Sequence, residues 1–357
     1  MTKLFLLTFN CAKLDQVESG FVDELHSALP KQCPDLLIFG FQELLPILEA
    51  TSYGLVDVYL NNLRIKIQQT VSQFYHTSVE VVAHEHVGAI GSFVLTPHQT
   101  YVNKVSTSSA SCGILYSSLK GATAIRINYK DEEFTFVTAH LAANEGNVDR
   151  RNKDYWRLMT SMEFGDGFSV LKPNSHTFFM GDLNYRAKHY GEGEEGDSLL
   201  NNDELTGVLS QGSAFIGMQE EDINFKPTYK YYRIPSWCDR ILFQNYKPGD
   251  AKIVKYNSLS SSKSSDHEPV YLEIEVYNKP NKIINEDGLL ILDGRDMRKS
   301  FISQFENYAH LVADFFVGSA LFFTTTTNGR VVIGTSTFLL LLLHWWLILY
   351  LFLFNLI

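Results

Sequence analysis

Cysteine is scarce. Four residues, Cys11, Cys33, Cys112 and Cys238, are scattered through 357, with no C-x-x-C pair and no finger-type spacing. That argues against a cysteine-held metal finger and suits a reducing compartment. No Asn-x-Ser/Thr acceptor occurs anywhere, a further sign against a lumenal body. The N-terminal apolar run Leu4–Phe9 is too short for a signal sequence and lacks a small-residue cleavage site. Positive charge is not in excess either. A formal net charge of −10 makes the body repel polyanions, so no nucleic-acid partner is expected. An anionic substrate would need a local basic patch. The last absence is the sharpest: no Asp, Glu, Lys or Arg occurs from Val331 to Ile357.

That uncharged stretch contains Phe338–Phe354, FLLLLLHWWLILYLFLF. Crossing ~30 Å of hydrocarbon takes about 20 mostly apolar residues, and the run supplies them. It is apolar all round, whereas a buried core helix is usually shorter and amphipathic. Standing at the end of the chain, it is expected to be a tail anchor inserted after release, with the rest facing the cytosol. The span is strongly hydrophobic, only Arg330 precedes it closely and nothing basic follows, which favours the endoplasmic reticulum over mitochondria.

Three divisions follow: a body over 1–277, a tether over 278–330 and the anchor over 331–357. In the body, LFLLTFN, DLLIFGF, AIGSFVL, ATAIRINY, EFTFVTAHL, HTFFMGD, DRILFQN and EPVYLEIEV read as strands. Leu55–Tyr75 and Val148–Met162 carry apolar residues at helical spacing. The class is α/β or α+β, in layers. Tyr190–Ser198, with three glycines among acidic residues, reads as a flexible surface loop. In the tether, Phe301–Phe323 has aromatics near helical spacing and either lies on a bilayer surface or packs on the body. Thr324–Thr327 and Gly329 look like a turn before the span.

Chemistry-bearing residues gather at strand ends: Asn10, Glu43, His140, Asp182, Asn184, Asp239, Asp266 and His267. Each alone is most often a cap or a solvated loop residue. Together they bring carboxylates, amides and imidazoles to one edge of a sheet framework, where loop side chains converge. They offer hard oxygen ligands and proton-transfer groups with no thiolate. That suits Mg²⁺, which bridges carboxylate to phosphate, better than zinc.

FQE, RRN-x-D, GDLNYR, PSWCDRIL and SDH-x-PV resemble, over roughly Leu4 to Val276, the inositol polyphosphate 5-phosphatases of the endonuclease/exonuclease/phosphatase superfamily. With the tail included, the chain looks like the short tail-anchored fungal members that act on phosphatidylinositol 4,5-bisphosphate. The resemblance implies two packed β-sheets flanked by helices, a four-layer sandwich. It also implies Mg²⁺-dependent release of the 5-phosphate by direct attack of water, giving phosphatidylinositol 4-phosphate. Mapped by motif, Glu43 with Asn10 would hold Mg²⁺, and Asp266 would support the metal or its neighbours. Asp182 would orient or deprotonate the water, with Asn184 beside it. His267 paired to Asp239, and His140, would stabilise the phosphoryl oxygens. Tyr229, Lys230 and Arg233 match the segment for the neighbouring ring phosphate. Lys120, Arg151 and Asn152 resemble other phosphate-facing or loop-ordering positions. Asn144 stands where many members have a second His and still donates a hydrogen bond.

The connection between Lys230 and Arg233 is shorter than the family's, with Tyr232 where a second basic residue is usual. No separate lipid-binding or protein-interaction domain is evident and no obligate protein partner is expected, so membrane targeting rests on the tail. Two alternatives stay open. One is a different superfamily hydrolase, such as a nuclease or a neutral sphingomyelinase, which would not need PSWCDRIL. The other is a non-catalytic membrane scaffold, against which the intact set Glu43, Asp182, Asn184, Asp239 and His267 speaks.

Overall fold

Two six-stranded sheets carry the body. The computed structural model describes residues 1–12, 17–50, 53–188, 200–229, 234–259, 265–298 and 303–354. One sheet contains β1 (Thr2–Asn10), β2 (Leu36–Gln42), β3 (Glu80–Val87), β4 (Ile90–Thr96), β11 (Ala251–Ser258) and β12 (Val270–Val276), in the order β11-β12-β1-β2-β4-β3. The other contains β5 (Val102–Ser111), β6 (Gly121–Tyr129), β7 (Glu132–His140), β8 (His176–Asp182), β9 (Met218–Gln219) and β10 (Asp239–Gln244), in the order β5-β6-β7-β8-β10-β9. Each sheet has a parallel pair near its centre, β1 with β2 and β7 with β8, and its other neighbours run antiparallel.

Strand side chains alternate between faces, which divides the apolar core into three layers. Phe5, Leu7 and Phe9 of β1 pack with Leu60, Leu63, Ile67 and Val71 of the Tyr53–Tyr75 helix. Leu4 and Leu6, of opposite parity, pack between the sheets with Phe134, Phe136, Phe178, Met180 and Ile241. Val137, Phe179 and Leu242 face the third layer, which includes Tyr155, Leu158 and Met159 of the Val148–Ser161 helix. Helix, sheet, sheet, helix is the sandwich expected from sequence.

The inter-sheet parity turns polar at one edge. Past Leu6, β1 continues to Thr8 and Asn10. Past Ile38, β2 continues to Gly40 and Gln42. Past Phe136, β7 continues to Thr138 and His140, and β8 passes from Met180 to Asp182. In β10, which runs the other way, the same edge is Asp239, opposite Asp182. Ser92 and Thr123 join the sheets across this zone at 2.8 Å. Gly40 is required here, because a Cβ would lie 2.4 Å from Thr138 Oγ1. The site is thus where the inter-sheet core runs out of apolar side chains.

The packed body runs past the boundary drawn at 277, since Ile283, Ile284, Leu290 and Met297 are buried in the third layer. Helices span Ser303–Thr325 and Thr327–Phe354, broken at Thr326. The expected turn over Thr324–Thr327 narrows to that residue. Gly329 is helical and closely packed, its Cβ position 2.2 Å from Phe322 O, so the two helices approach there. Thr327–Tyr350 is long and apolar enough to cross a membrane, and no part of the body covers it. The acidic stretch Tyr190–Ser198 lies outside the described residues.

Candidate active site

Asp182 is the hub. It ends β8 with 2% of its surface exposed. Asn10 Nδ2 donates to its Oδ2 at 2.8 Å, tying the end of one sheet to the end of the other. His140 Nε2 lies 3.2 Å from the same oxygen and His267 Nε2 4.0 Å. The Asn184 amide donates to Oδ1 at 3.1 Å, a local turn that holds Asn184 at φ 59°. Burial alone would raise the Asp182 carboxyl. The imidazoles of His140 and His267 and the Lys120 ammonium override it and hold the group well below the ordinary carboxylate range.

The two histidines are set oppositely. His140 is buried beside Lys120, to which Nε2 is hydrogen-bonded, and stands 3.9 Å from Glu43 Oε1. Burial first, and the Lys120 charge second, push its pKa down. His267 Nδ1 bonds Asp239 Oδ2 at 2.8 Å. Burial disfavours its charge, but Asp239 and Asp182 outweigh that and push it up to about 9, so the ring is an imidazolium. Thr228 Oγ1 donates to Asp239 Oδ2 at 2.7 Å, and the Asp239 amide in turn donates to Thr228 Oγ1 at 3.3 Å. Tyr229 packs its ring on His267 at 4.2 Å between centroids. Ser265 Oγ donates to Asn10 O at 2.8 Å and accepts from the His267 amide at 3.0 Å, fixing the SDH turn against β1.

Glu43 sits at the rim, just past β2, with φ 50° and a side chain 26% exposed. It opens onto a cavity also lined by Gly88, Ser118, Leu119, Lys120 and His140. The donor set fits a hard divalent cation. Glu43 offers a partly exposed carboxylate, and Asn10 Oδ1, which accepts from the Ala12 amide at 3.0 Å, has a second lone pair. Asp182, Asp239 and His267 also bring possible ligand atoms within 4.8 Å of one another. His267 Nδ1, however, is spent on Asp239.

The structure brings Asn10, Glu43, Lys120, His140, Asp182, Asn184, Tyr229, Asp239 and His267 to one edge. Asp266 is exposed beside His267. Arg151 is different. It is fully buried, its guanidinium paired to Glu204 and donating to the carbonyls of Ala142 and Asn144. It orders the loop after β7 from behind and offers substrate no surface, so of its two expected roles the structure supports loop ordering. Asn152 accepts from Tyr185 OH at 2.6 Å in the same supporting layer. Asn144 is exposed at φ 76° on the loop that Arg151 holds. Lys230, Tyr232 and Arg233 lie outside the described residues. Two residues stood inside the sequence motifs without a role of their own. Arg186 bonds both oxygens of Asn184 and stacks its guanidinium 4.7 Å from the Tyr229 ring centre. Thr228 orients Asp239. Their signal was their place inside GDLNYR and beside Tyr229.

A family model described as Endonuclease/Exonuclease/phosphatase family 2 matches residues 7–273. The type II inositol 1,4,5-trisphosphate 5-phosphatase of Mus musculus is 30% identical over 292 residues, covering 73% of this chain and 28% of its own. The polyphosphatidylinositol phosphatase INP53 of Saccharomyces cerevisiae is 29% identical over 265 residues, covering 67% and 23%. The chain therefore spans less than a third of the length of the curated relatives it matches. Among solved structures, the inositol polyphosphate 5-phosphatase domain of spsynaptojanin, in complex with inositol (1,4)-bisphosphate and calcium ion, superposes with a TM-score of 0.64. Its sequence is 23% identical and the match covers 77% of this chain and 85% of that one, a likeness of fold.

Proposed function

The chain belongs to endonuclease/exonuclease/phosphatase family 2, where it groups with the inositol polyphosphate 5-phosphatases, and from that premise we propose that it hydrolyses the 5-phosphate of phosphatidylinositol 4,5-bisphosphate. The products are phosphatidylinositol 4-phosphate and inorganic phosphate. The observation that carries this reading is the convergence of Asn10, His140 and His267 on the buried Asp182 carboxylate, with Lys120 and Glu43 beside them at the cleft.

Asp182, held well below the ordinary carboxylate range, is a weak base. It orients the attacking water and takes its proton as the new oxygen–phosphorus bond forms and the phosphorus–oxygen bond to the inositol 5-carbon breaks, the departing oxygen taking a proton from solvent. Asn184, pinned by its bond to Leu141 O at 3.1 Å, stands beside that water. The His267 imidazolium and Lys120 donate to phosphoryl oxygens as charge spreads over them, so catalysis is positioning plus electrostatics. Glu43 and Asn10 would hold Mg²⁺, with Asp266 flanking. When bound, the cation neutralises charge on the scissile phosphate. Tyr229, Lys230 and Arg233 grip the phosphate beside the scissile one and so set the 5-position. The Thr327–Tyr350 helix crosses the endoplasmic reticulum membrane and leaves the body in the cytosol, a reading supported by its length, composition and lack of cover.

Phosphate release and product identity, followed on phosphatidylinositol 4,5-bisphosphate and 4-phosphate with Mg²⁺ or EDTA, test this. The bisphosphate should yield the 4-phosphate only with the metal, and the 4-phosphate should stay intact. A 5-phosphate product, or release unaffected by EDTA, overturns the reading. Lys230→Ala should weaken use of the bisphosphate by about 1.5–3 kcal/mol, the scale of a hydrogen bond to a charged group.

A further inference from the structure

The Ser303–Thr325 helix is seated at the mouth of the site. It packs on the Ile114–Tyr116 turn and on Ile47–Ala50, and Ala50 and Ser118 both line the cavity that Glu43, Lys120 and His140 open into. Ala313 and Asp314 are buried against the body, 8% and 7% exposed. The Asp314 carboxylate accepts from the Ser118 amide at 2.6 Å, two residues from Lys120.

The opposite face is the reverse of a soluble one. Val312, Phe315 and Phe316 are 60%, 67% and 64% exposed. From Val312 to Thr325 the sequence has one charged residue, Asp314, and it is turned inward. The outward face is therefore uncharged and aromatic, the composition of a helix bedded at a bilayer boundary. One broken residue, Thr326, separates this helix from the apolar span. Phe316 is eleven residues before Thr327, so the aromatic face lies within about 17 Å of the span's start at 1.5 Å per residue.

We propose that this helix clamps the mouth of the site onto the bilayer that the chain itself crosses, with Asp314–Ser118 as the latch and Val312, Phe315 and Phe316 as the bed. Asp314 is then a positioning residue, and turnover is confined to lipid in the chain's own membrane. The proposal rests on the phosphatase and membrane readings above, and goes beyond them in naming what presents the site to lipid.

Full-length chain reconstituted in vesicles tests it in two ways. Substrate lipid is placed either in the protein-bearing vesicles or in separate ones, with soluble inositol 1,4,5-trisphosphate as a third probe. Wild type should work at least tenfold faster on lipid of its own vesicle. Asp314→Ala should shrink that ratio severalfold and leave soluble-headgroup turnover within about twofold, while Asp314→Asn, which keeps an acceptor for Ser118, should behave as wild type. Second, an environment-sensitive dye on Phe316→Cys should be quenched by brominated lipid, and one on Lys31→Cys, exposed at the far edge of the sheets, should not. A Phe316 dye that remains in water, or a ratio unmoved by Asp314→Ala, overturns the proposal. A wild type that turns over neither lipid nor headgroup would instead sink the phosphatase reading, and the dye would still report the bed because its signal needs no reaction.

Discussion

Asp182 and His267 are both buried, yet they carry opposite charges. A buried charge persists only where paired and hydrogen-bonded, and here each pairing aims a charge at the cleft. Thr228 and Asp239 hold the His267 ring so that Nε2 faces Asp182. Asn10 and the Asn184 amide hold Asp182 so that its carboxylate faces the same space. Removing either should act on the transition state more than on binding. Asp182→Ala and His267→Ala are each expected to lower kcat on the order of 10²–10⁴-fold with little change in KM. Steady-state phosphate release, with circular dichroism to confirm folding, checks this. A variant within a few-fold of wild type would remove that residue from the mechanism.

At the scale of elements, the sheets are pinned at both ends. Opposite the site, Asp35 precedes β2 and accepts from the Lys3 amide at 2.8 Å, Tyr129 OH at 3.0 Å and Lys130 Nζ at 2.7 Å, joining the two sheets. Burial would raise its carboxyl, but these bonds, Lys130's foremost, hold it below the ordinary value. The sign follows directly. A depressed carboxyl stabilises the fold above its unfolded value of about 3.9, and that contribution is lost as pH falls through the folded value. Urea midpoints of wild type should therefore drop below about pH 4 more steeply than those of Asp35→Asn. Near the site, Gly40→Ala should meet Thr138 and Met180 of the facing sheet and destabilise by about 1–3 kcal/mol; an unchanged urea midpoint would refute that packing. Which elements the sequence revealed follows from the same layering. The eight strands read from apolar runs are the eight inner ones. The missed four, β3, β5, β9 and β11, are the sheet edges, where EVVAHEHV and VNKVSTSSAS carry polar residues and β9 is two residues long. Site residues were legible for a related reason, since carboxylates and imidazoles interrupt the apolar runs at strand ends. Sequence left Arg151 as phosphate-facing or loop-ordering because nothing local in RRNKD reports that Glu204, 53 residues on, neutralises it.

As a whole molecule the chain couples a packed body to an uncovered apolar helix. Among the described residues, the three core layers draw on Leu4 to Met297 and on none of the span. Deleting 327–357 should therefore leave folding and soluble-headgroup turnover within about threefold of the full chain. Lipid turnover should fall by tenfold or more, because an anchored enzyme meets lipid at the high effective concentration of a short tether and a free one does not. In cells, a fluorescent fusion of that truncation should redistribute from membranes to the cytosol. If it stays on membranes, the Ser303–Thr325 helix binds bilayer unaided, and the span is dispensable for targeting. If it leaves membranes yet keeps full lipid turnover, tethering contributes nothing to catalysis, and the uncovered aromatic face of that helix needs another occupant.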